Sequence, residues 1–71
     1  MGDNTERRGT VKCFRLKLRQ KPTQYEDNVI TMLLENQEVK IVQELDEWLK
    51  VEVIVDGSAI VGYVASGFIK E

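Results

Sequence analysis

Residues 47–64 read EWLKVEVIVDGSAIVGYV, and this stretch decides the fold of the chain. Two runs rich in β-branched residues flank the segment DGSA at 56–59, whose residue types favour a turn. Apolar and charged side chains alternate over 49–52, which is the period of a half-buried strand. The stretch therefore predicts a β-hairpin. Placing all of DGSA in the turn pairs Val55 with Ile60 and sets the expected register.

This register divides the hairpin into two faces of different character. Alternation places the better core on one face, which consists of Leu49, Val51, Val53, Val55, Ile60, Gly62 and Val64. The other face keeps more apolar surface than an idle face normally shows, at Trp48, Ile54, Val61 and Tyr63. Two interpretations stay open. Trp48 or Tyr63 covers the seam of a barrel beneath a loop, or both line a shallow binding cleft with Tyr25 and Phe68.

The segments before the hairpin predict further short strands. Apolar residues fall on odd positions at Val11 and Cys13, and on even positions from Phe14 onward. A strand cannot change parity and keep one face inward, so a bulge or break is expected near Phe14. Residues 29–34 (VITMLL) and 38–45 predict two more strands.

The remaining segments set the domain boundaries. Polar residues 20–28, which include the only proline, predict an exposed loop, and a loop of this length is a candidate binding element. We expect a single helical turn near 65–68 with Ser66 as its cap. Residues 1–9 lack apolar periodicity and predict a flexible leader. Residues 10–71 then form one all-β domain, a small barrel of about five to seven short antiparallel strands that leaves no long exposed edge.

Charge is distributed unevenly along the chain. Residues 1–24 contain seven basic and two acidic residues, whereas residues 25–71 contain three basic and ten acidic ones. A basic arm of this kind can bind a polyanion. Alternatively, Lys12, Arg15, Lys17 and Arg19 point outward from strands and pair with carboxylates on neighbouring strands.

The residue inventory argues against catalysis. The chain has no histidine and therefore no histidine general base or Ser-His pair. It also lacks a glycine-rich phosphate loop and paired cysteines, so we expect no enzyme activity, no cofactor and no metal. The single cysteine, Cys13, is expected to be a small buried hydrophobe.

Nothing in the chain predicts a membrane segment or an export signal. No apolar run approaches the roughly 20 residues that a membrane span needs, and the first eight residues are polar and charged. The compartment is therefore left open. We expect the cell envelope if the domain belongs to a larger exported protein, and the cytoplasm otherwise.

Five short motifs occur in an order and at spacings that resemble the bacterial SH3 domain family. They are LKLRQKPT at 16–23, VITML at 29–33, EVKI at 38–41, EWLKV at 47–51, and GYV with GFI at 62–64 and 67–69. The family's domains are small SH3-like barrels often appended to cell-wall enzymes. The chain departs from the family in having Lys21 before the proline and Glu47 before the tryptophan, where glycine is usual, and in the expected four-residue turn at 56–59.

The resemblance implies a non-catalytic binding or targeting module. Its ligand would be a peptide or a cell-wall peptidoglycan fragment, held in a shallow aromatic cleft between the loop after Arg19 and the turn before Trp48. An intracellular protein–protein adaptor or intramolecular packing module is the alternative, and a nucleic-acid or other polyanion binder using the basic N-terminal third is the third hypothesis. We expect a monomer.

Overall fold

The computed structural model describes residues 6–25 and 27–71 as a barrel of short strands. The strands are β1 (Arg7–Val11), β2 (Arg15–Arg19), β3 (Val29–Leu34), β4 (Glu38–Glu44), β5 (Trp48–Val55), β6 (Ser58–Ala65) and β7 (Ile69–Lys70). A 3₁₀ turn at Ser66–Phe68 joins β6 to β7. The prediction of an all-β domain with one helical turn near 65–68 is confirmed.

One antiparallel sheet, in the order β3-β2-β6-β5-β4-β1-β7, wraps around a single core. Leu33 of β3 and Ile69 of β7 come from opposite ends of this order, yet both are buried in the same cluster. The amide of Val11 also donates to the carbonyl of Gln37, and the carbonyl of Val11 accepts from the amide of Asn36. These bonds tie β1 to the turn between β3 and β4, so the two ends of the sheet approach each other.

Every strand contributes at least one buried apolar residue to the core. Its buried apolar members are Val11, Leu16, Leu18, Leu33, Val39, Ile41, Leu49, Val51, Val53, Val64 and Ile69. Full burial of one such side chain stabilises the folded state by about 1.5–3 kcal/mol relative to leaving it exposed. The inward face predicted for the hairpin is observed, with Val55 and Ile60 partly buried at its end.

The register predicted for the hairpin is wrong by two residues. Val55 pairs with Ser58, and Ile60 pairs with Val53. The connection is a two-residue turn in which Asp56 has φ +52° and Gly57 has φ +82°. Positive φ at both positions is the type I′ geometry that matches the twist of the flanking strands and favours an Asp-Gly pair. Because the shift is an even number, every side chain keeps its predicted face.

The boundary of the predicted leader also needs correction. Arg7, Arg8 and Gly9 belong to β1 and pair with β4, while residues 1–5 of that leader lie outside the described residues. Gly9 is buried where β1 passes β7, and a Cβ there would lie only 2.6 Å from Cγ2 of Ile69. A glycine at an inward position interrupts the apolar alternation, which is why the first residues of this strand were not apparent from the sequence.

The break in parity near Phe14 is observed as an irregular segment between β1 and β2. Phe14 itself is exposed, and the guanidinium of Arg15 stacks 4.0 Å from its ring centroid. Cys13 is half-buried, not fully buried as predicted, because its thiol sits in this bend and donates a hydrogen bond to the carbonyl of Arg15.

The single helical element differs from its prediction in one detail. Ala65 occupies the N-cap position, Ser66 lies inside the 3₁₀ turn, and no side chain caps the turn. Because the turn begins at Ser66, this residue is the first residue of the turn and not the cap that precedes it. Within the described part of the chain, no helix is long and apolar enough to cross a membrane.

Candidate ligand-binding clefts beside Trp48

The candidate site is formed where β2 crosses β6 and then leaves it. Arg19 and Tyr63 form the pair that connects these two strands. At the crossing, a Cβ on Gly62 would lie 2.7 Å from the carbonyl oxygen of Arg19 and 2.9 Å from side-chain atoms of Leu18. Glycine therefore allows the backbones to meet. From Arg19 back toward Arg15, β2 diverges from the end of β6, and a cleft opens between them.

We call this opening the basic cleft. Its volume is about 310 Å³, at the lower end of the range of roughly 300–1,000 Å³ for ligand pockets. One wall carries the cations of β2, the other is formed by Trp48, Ala65 and Phe68, and Met32 of β3 lies at the margin. Met32 and Phe68 are 45% and 48% exposed, so apolar surface remains available there.

A second opening, the loop cleft, lies on the other side of Trp48. It has a volume of about 210 Å³ and is lined by Pro22, Thr23, Gln24, Tyr25, Glu47, Trp48 and Ala65. Gln24, Trp48 and Ala65 line both openings. The two clefts therefore adjoin at these residues, with half-buried Trp48 as a wall of both, and we refer to the two together as the groove.

The loop that bounds the groove is held by Asn28. This buried side chain donates to the carbonyl of Thr23 at 3.4 Å and accepts from Nη1 of Arg19 at 3.2 Å. The backbone carbonyl of Asn28 accepts a hydrogen bond from the backbone amide of Gln20. Sequence reasoning missed Asn28, although a polar residue directly before an apolar strand is a recognisable signal for a loop anchor.

The turn that carries Trp48 is fixed by backbone hydrogen bonds. The amide of Leu45 donates to the carbonyl of Trp48, and the amide of Ser66 donates to the carbonyl of Glu47, both at 2.9 Å. The second bond connects the β4–β5 turn to the 3₁₀ turn that carries Phe68. Trp48 and Phe68, the aromatic residues of the basic cleft, therefore lie next to two turns that are hydrogen-bonded to each other.

The structure brings three of the four predicted ligand-binding residues to this groove. Trp48 lines both clefts, Tyr25 borders the loop cleft and is 88% exposed, and Phe68 borders the basic cleft. Tyr63 lines neither cleft. It is half-buried opposite Lys50, two residues before Ala65, at the point where β2 still pairs with β6.

The two clefts differ in charge. Arg15, Lys17 and Arg19 line the basic cleft, and no carboxylate occurs among its described lining residues. Glu47 lines the loop cleft. The described residues also include no group of three potential metal ligands. The groove thus presents aromatic surface together with charged side chains.

Comparison with known proteins gives the same family as the motifs. The family model of the bacterial SH3 domain matches residues 15–70, from the first residue of β2 into β7. The chain belongs to the bacterial SH3 domain family. Neither the curated proteins nor the solved structures include a significant match. Membership indicates a binding or targeting module, and the matched region contains nearly all described residues that line the two clefts, Cys13 being the exception.

Two departures from the family pattern of this bacterial SH3 domain precede residues that line the groove, Pro22 and Trp48. Lys21 precedes Pro22 and Glu47 precedes Trp48, where the family usually has glycine. Among the described non-glycine residues, only Asn36 and Asp56 have positive φ. Lys21 and Glu47 therefore occupy backbone conformations that any residue adopts, and Glu47 adds a charge to the loop cleft without backbone strain. The third expected departure, a four-residue hairpin turn, is absent because the observed turn has two residues, Asp56 and Gly57.

Proposed function

We propose that this bacterial SH3 domain is a non-catalytic module that binds a peptide-like ligand across Trp48. The observation that carries the proposal is the position of the indole, which forms a shared wall of two adjoining clefts. A large rigid ring with a polar N–H gives much contact area at little cost in conformational entropy. A ligand lying over the ring would reach Phe68 on one side and Tyr25 on the other.

A short peptide or a peptidoglycan stem or bridge peptide fits this description. Each cleft is small and partly open to solvent, so the adjoining pair suits an extended chain better than a compact small molecule. The family's association with cell-wall enzymes makes the wall peptide the first ligand to test.

The test is a titration of the ¹⁵N-labelled domain with purified muropeptides and, separately, with short linear peptides. We expect the amides of Tyr25, Trp48 and Phe68 and the indole N–H to shift, while Tyr63 responds less because it lies outside both clefts. A flat response to muropeptides would exclude the wall ligand. A flat response to every peptide would exclude the proposal.

Matched aromatic variants separate binding from folding. Trp48→Phe reduces the ring that both clefts share and should weaken binding while the spectrum stays that of a folded domain. Tyr63→Phe changes an aromatic residue of the same sheet face outside the clefts and should leave affinity unchanged. Equal loss of affinity in both variants would place the ligand elsewhere.

The free edge of β3 supports the alternative of a protein–protein adaptor. β3 ends the sheet order and pairs, among the described strands, with β2 alone. Its sequence VITMLL contains no charge, and an apolar edge of this kind can accept a strand from a partner. Binding at this edge would survive Trp48→Phe and be lost in Leu34→Lys, which adds a charge at an exposed edge position.

A further inference from the structure

The cations of the basic cleft form a regular row. Arg15, Lys17 and Arg19 occupy alternate positions of β2, while Leu16 and Leu18 between them are buried in the core. A strand rises about 3.3 Å per residue, so the three Cα atoms repeat at roughly 6.6 Å and span about 13 Å. All three residues line the cleft.

The strand that pairs along the whole of β2 does not supply carboxylates to this row. Across the β2–β3 pair, Arg15 lies opposite Leu34, Lys17 opposite Met32, and Arg19 opposite Val29. The pairing with acidic residues that the sequence allowed is therefore not formed between β2 and β3. Elsewhere among the described residues, Arg7, Arg8 and Lys40 form ion pairs with the carboxylates Glu6, Glu38, Glu44 and Glu71.

Resting on the proposed function, we infer that the ligand is an acidic peptide segment, bound extended along β2 with carboxylates at alternate positions. An extended peptide has the same repeat as a strand, so its residues i and i+2 meet successive cations. Phe68 and Trp48 on one side and Met32 on the other supply apolar contact for the rest of the chain. Glu47, on the far side of Trp48, disfavours continuation of the acidic run into the loop cleft.

The same cations are fewer than a nucleic acid would need. Ten of the chain's twelve acidic residues lie in positions 25–71, and the net charge is −2. Nucleic-acid affinity comes mainly from many phosphate contacts on a continuous basic surface. A row of three cations on a chain of net negative charge fits a short acidic peptide better.

The experiment uses the fluorescence of Trp48, the only tryptophan, as the reporter. The probes are an acetylated and amidated Glu-Leu-Glu-Leu-Glu peptide, its Gln-Leu-Gln-Leu-Gln counterpart, a muropeptide and a short oligothymidylate. We expect the acidic peptide to bind about tenfold more tightly than the glutamine peptide at low salt, as several exposed ion pairs together provide. Lys17→Gln should remove about a third of this preference on a logarithmic scale, whereas Lys70→Gln, the same change at an exposed site outside both clefts, should not.

The remaining outcomes overturn the inference in distinguishable ways. Equal binding of both peptides, unaffected by Lys17→Gln, would refute the acidic ligand and leave the proposed function intact. Tighter binding of the muropeptide would assign the cleft to the cell wall. Tighter binding of oligothymidylate, falling steeply with salt, would assign it to polyanions. No response to any peptide would overturn the proposed function as well.

Discussion

The carbonyl of Glu47 accepts a 2.9 Å hydrogen bond from the amide of Ser66. This bond joins the turn that presents Trp48 to the turn that presents Phe68. The two rings are therefore positioned by short backbone connections within the barrel, whereas Tyr25 depends on the loop held by Asn28. Preorganised aromatic walls lower the entropy lost on binding, so the proposed function predicts that Trp48 and Phe68 supply most of the affinity.

Truncation of Trp48 tests how much the indole contributes to the barrel itself. The side chain is half-buried, so Trp48→Ala should lower the free energy of unfolding by about 1–2 kcal/mol, less than the 3–5 kcal/mol typical of fully buried aromatic residues. Urea denaturation at neutral pH measures this loss. A loss above about 4 kcal/mol would show that Trp48 is chiefly a structural lid.

Gly62 should tolerate no side chain. Gly62→Ala places a methyl group 2.7 Å from the backbone oxygen of Arg19, and the crossing of β2 over β6 must shift to admit it. We expect a destabilisation of at least about 2 kcal/mol, together with altered Trp48 fluorescence because the basic cleft begins at this crossing. Gly67→Ala is the matched control, since a Cβ there would have nothing within 4 Å and the change should be close to neutral.

The hairpin turn should be sensitive to residue type at Gly57. Its φ of +82° is unfavourable for a residue with a Cβ, so Gly57→Ala should cost about 1 kcal/mol even though the surrounding space is empty. Asp56→Asn should be nearly neutral, because Asn-Gly also favours this turn. Thermal unfolding of the two variants gives the comparison, and a smaller effect at Gly57 than at Asp56 would contradict the turn geometry.

The pair of Arg7 and Glu71 makes a prediction about pH. Hydrogen bonding from Arg7 lowers the pKa of the Glu71 carboxyl below its ordinary value, and the bond to Glu71, followed by that to Glu44, raises the pKa of Arg7. Since the pKa of Glu71 is lower in the folded than in the unfolded chain, its stabilising effect is present above the unfolded value of about 4.3. The effect fades as the pH falls through the lower folded pKa.

Carbon-detected NMR titration of the Glu71 side chain measures this shift directly. In Arg7→Gln the pKa of Glu71 should return toward its ordinary value, while Arg8→Gln, which alters a neighbouring ion pair, should leave it low. An unchanged pKa in Arg7→Gln would disprove the assignment of the shift to this pair. Both side chains are exposed, so the change in overall stability should be small.

The sequence predicts the faces of the strands better than their partners. The alternation that places Val51 and Val64 in the core depends only on period 2, and it survives the two-residue error in register. The Asp-Gly pair was a sufficient signal for the shorter turn, because it is the strongest short-range indication of a two-residue hairpin. The beginning of β1 was hidden because one of its two buried residues is Gly9.

The candidate site was predictable in its residue types but not in its limits. Exposed aromatic residues beside a loop indicate a binding surface, and this brought Tyr25, Trp48 and Phe68 to attention. Whether Tyr63 joins them depends on where β2 leaves β6, a contact between residues far apart in sequence. Arg15, Lys17 and Arg19 lie opposite apolar residues of β3. This too depends on the register between β2 and β3, which the spacing of residues along the chain does not specify.

The 2.7 Å contact between Arg7 and Glu71 places the start of β1 beside the residue that follows β7. An engineered linker attached before Arg7 and another attached after Glu71 would therefore leave the barrel at nearly the same point. The domain could be grafted into a surface loop of a carrier protein without separating its ends. By the same geometry, joining these ends and reopening the chain between Asp56 and Gly57 should give a circular permutant that keeps the groove beside Trp48.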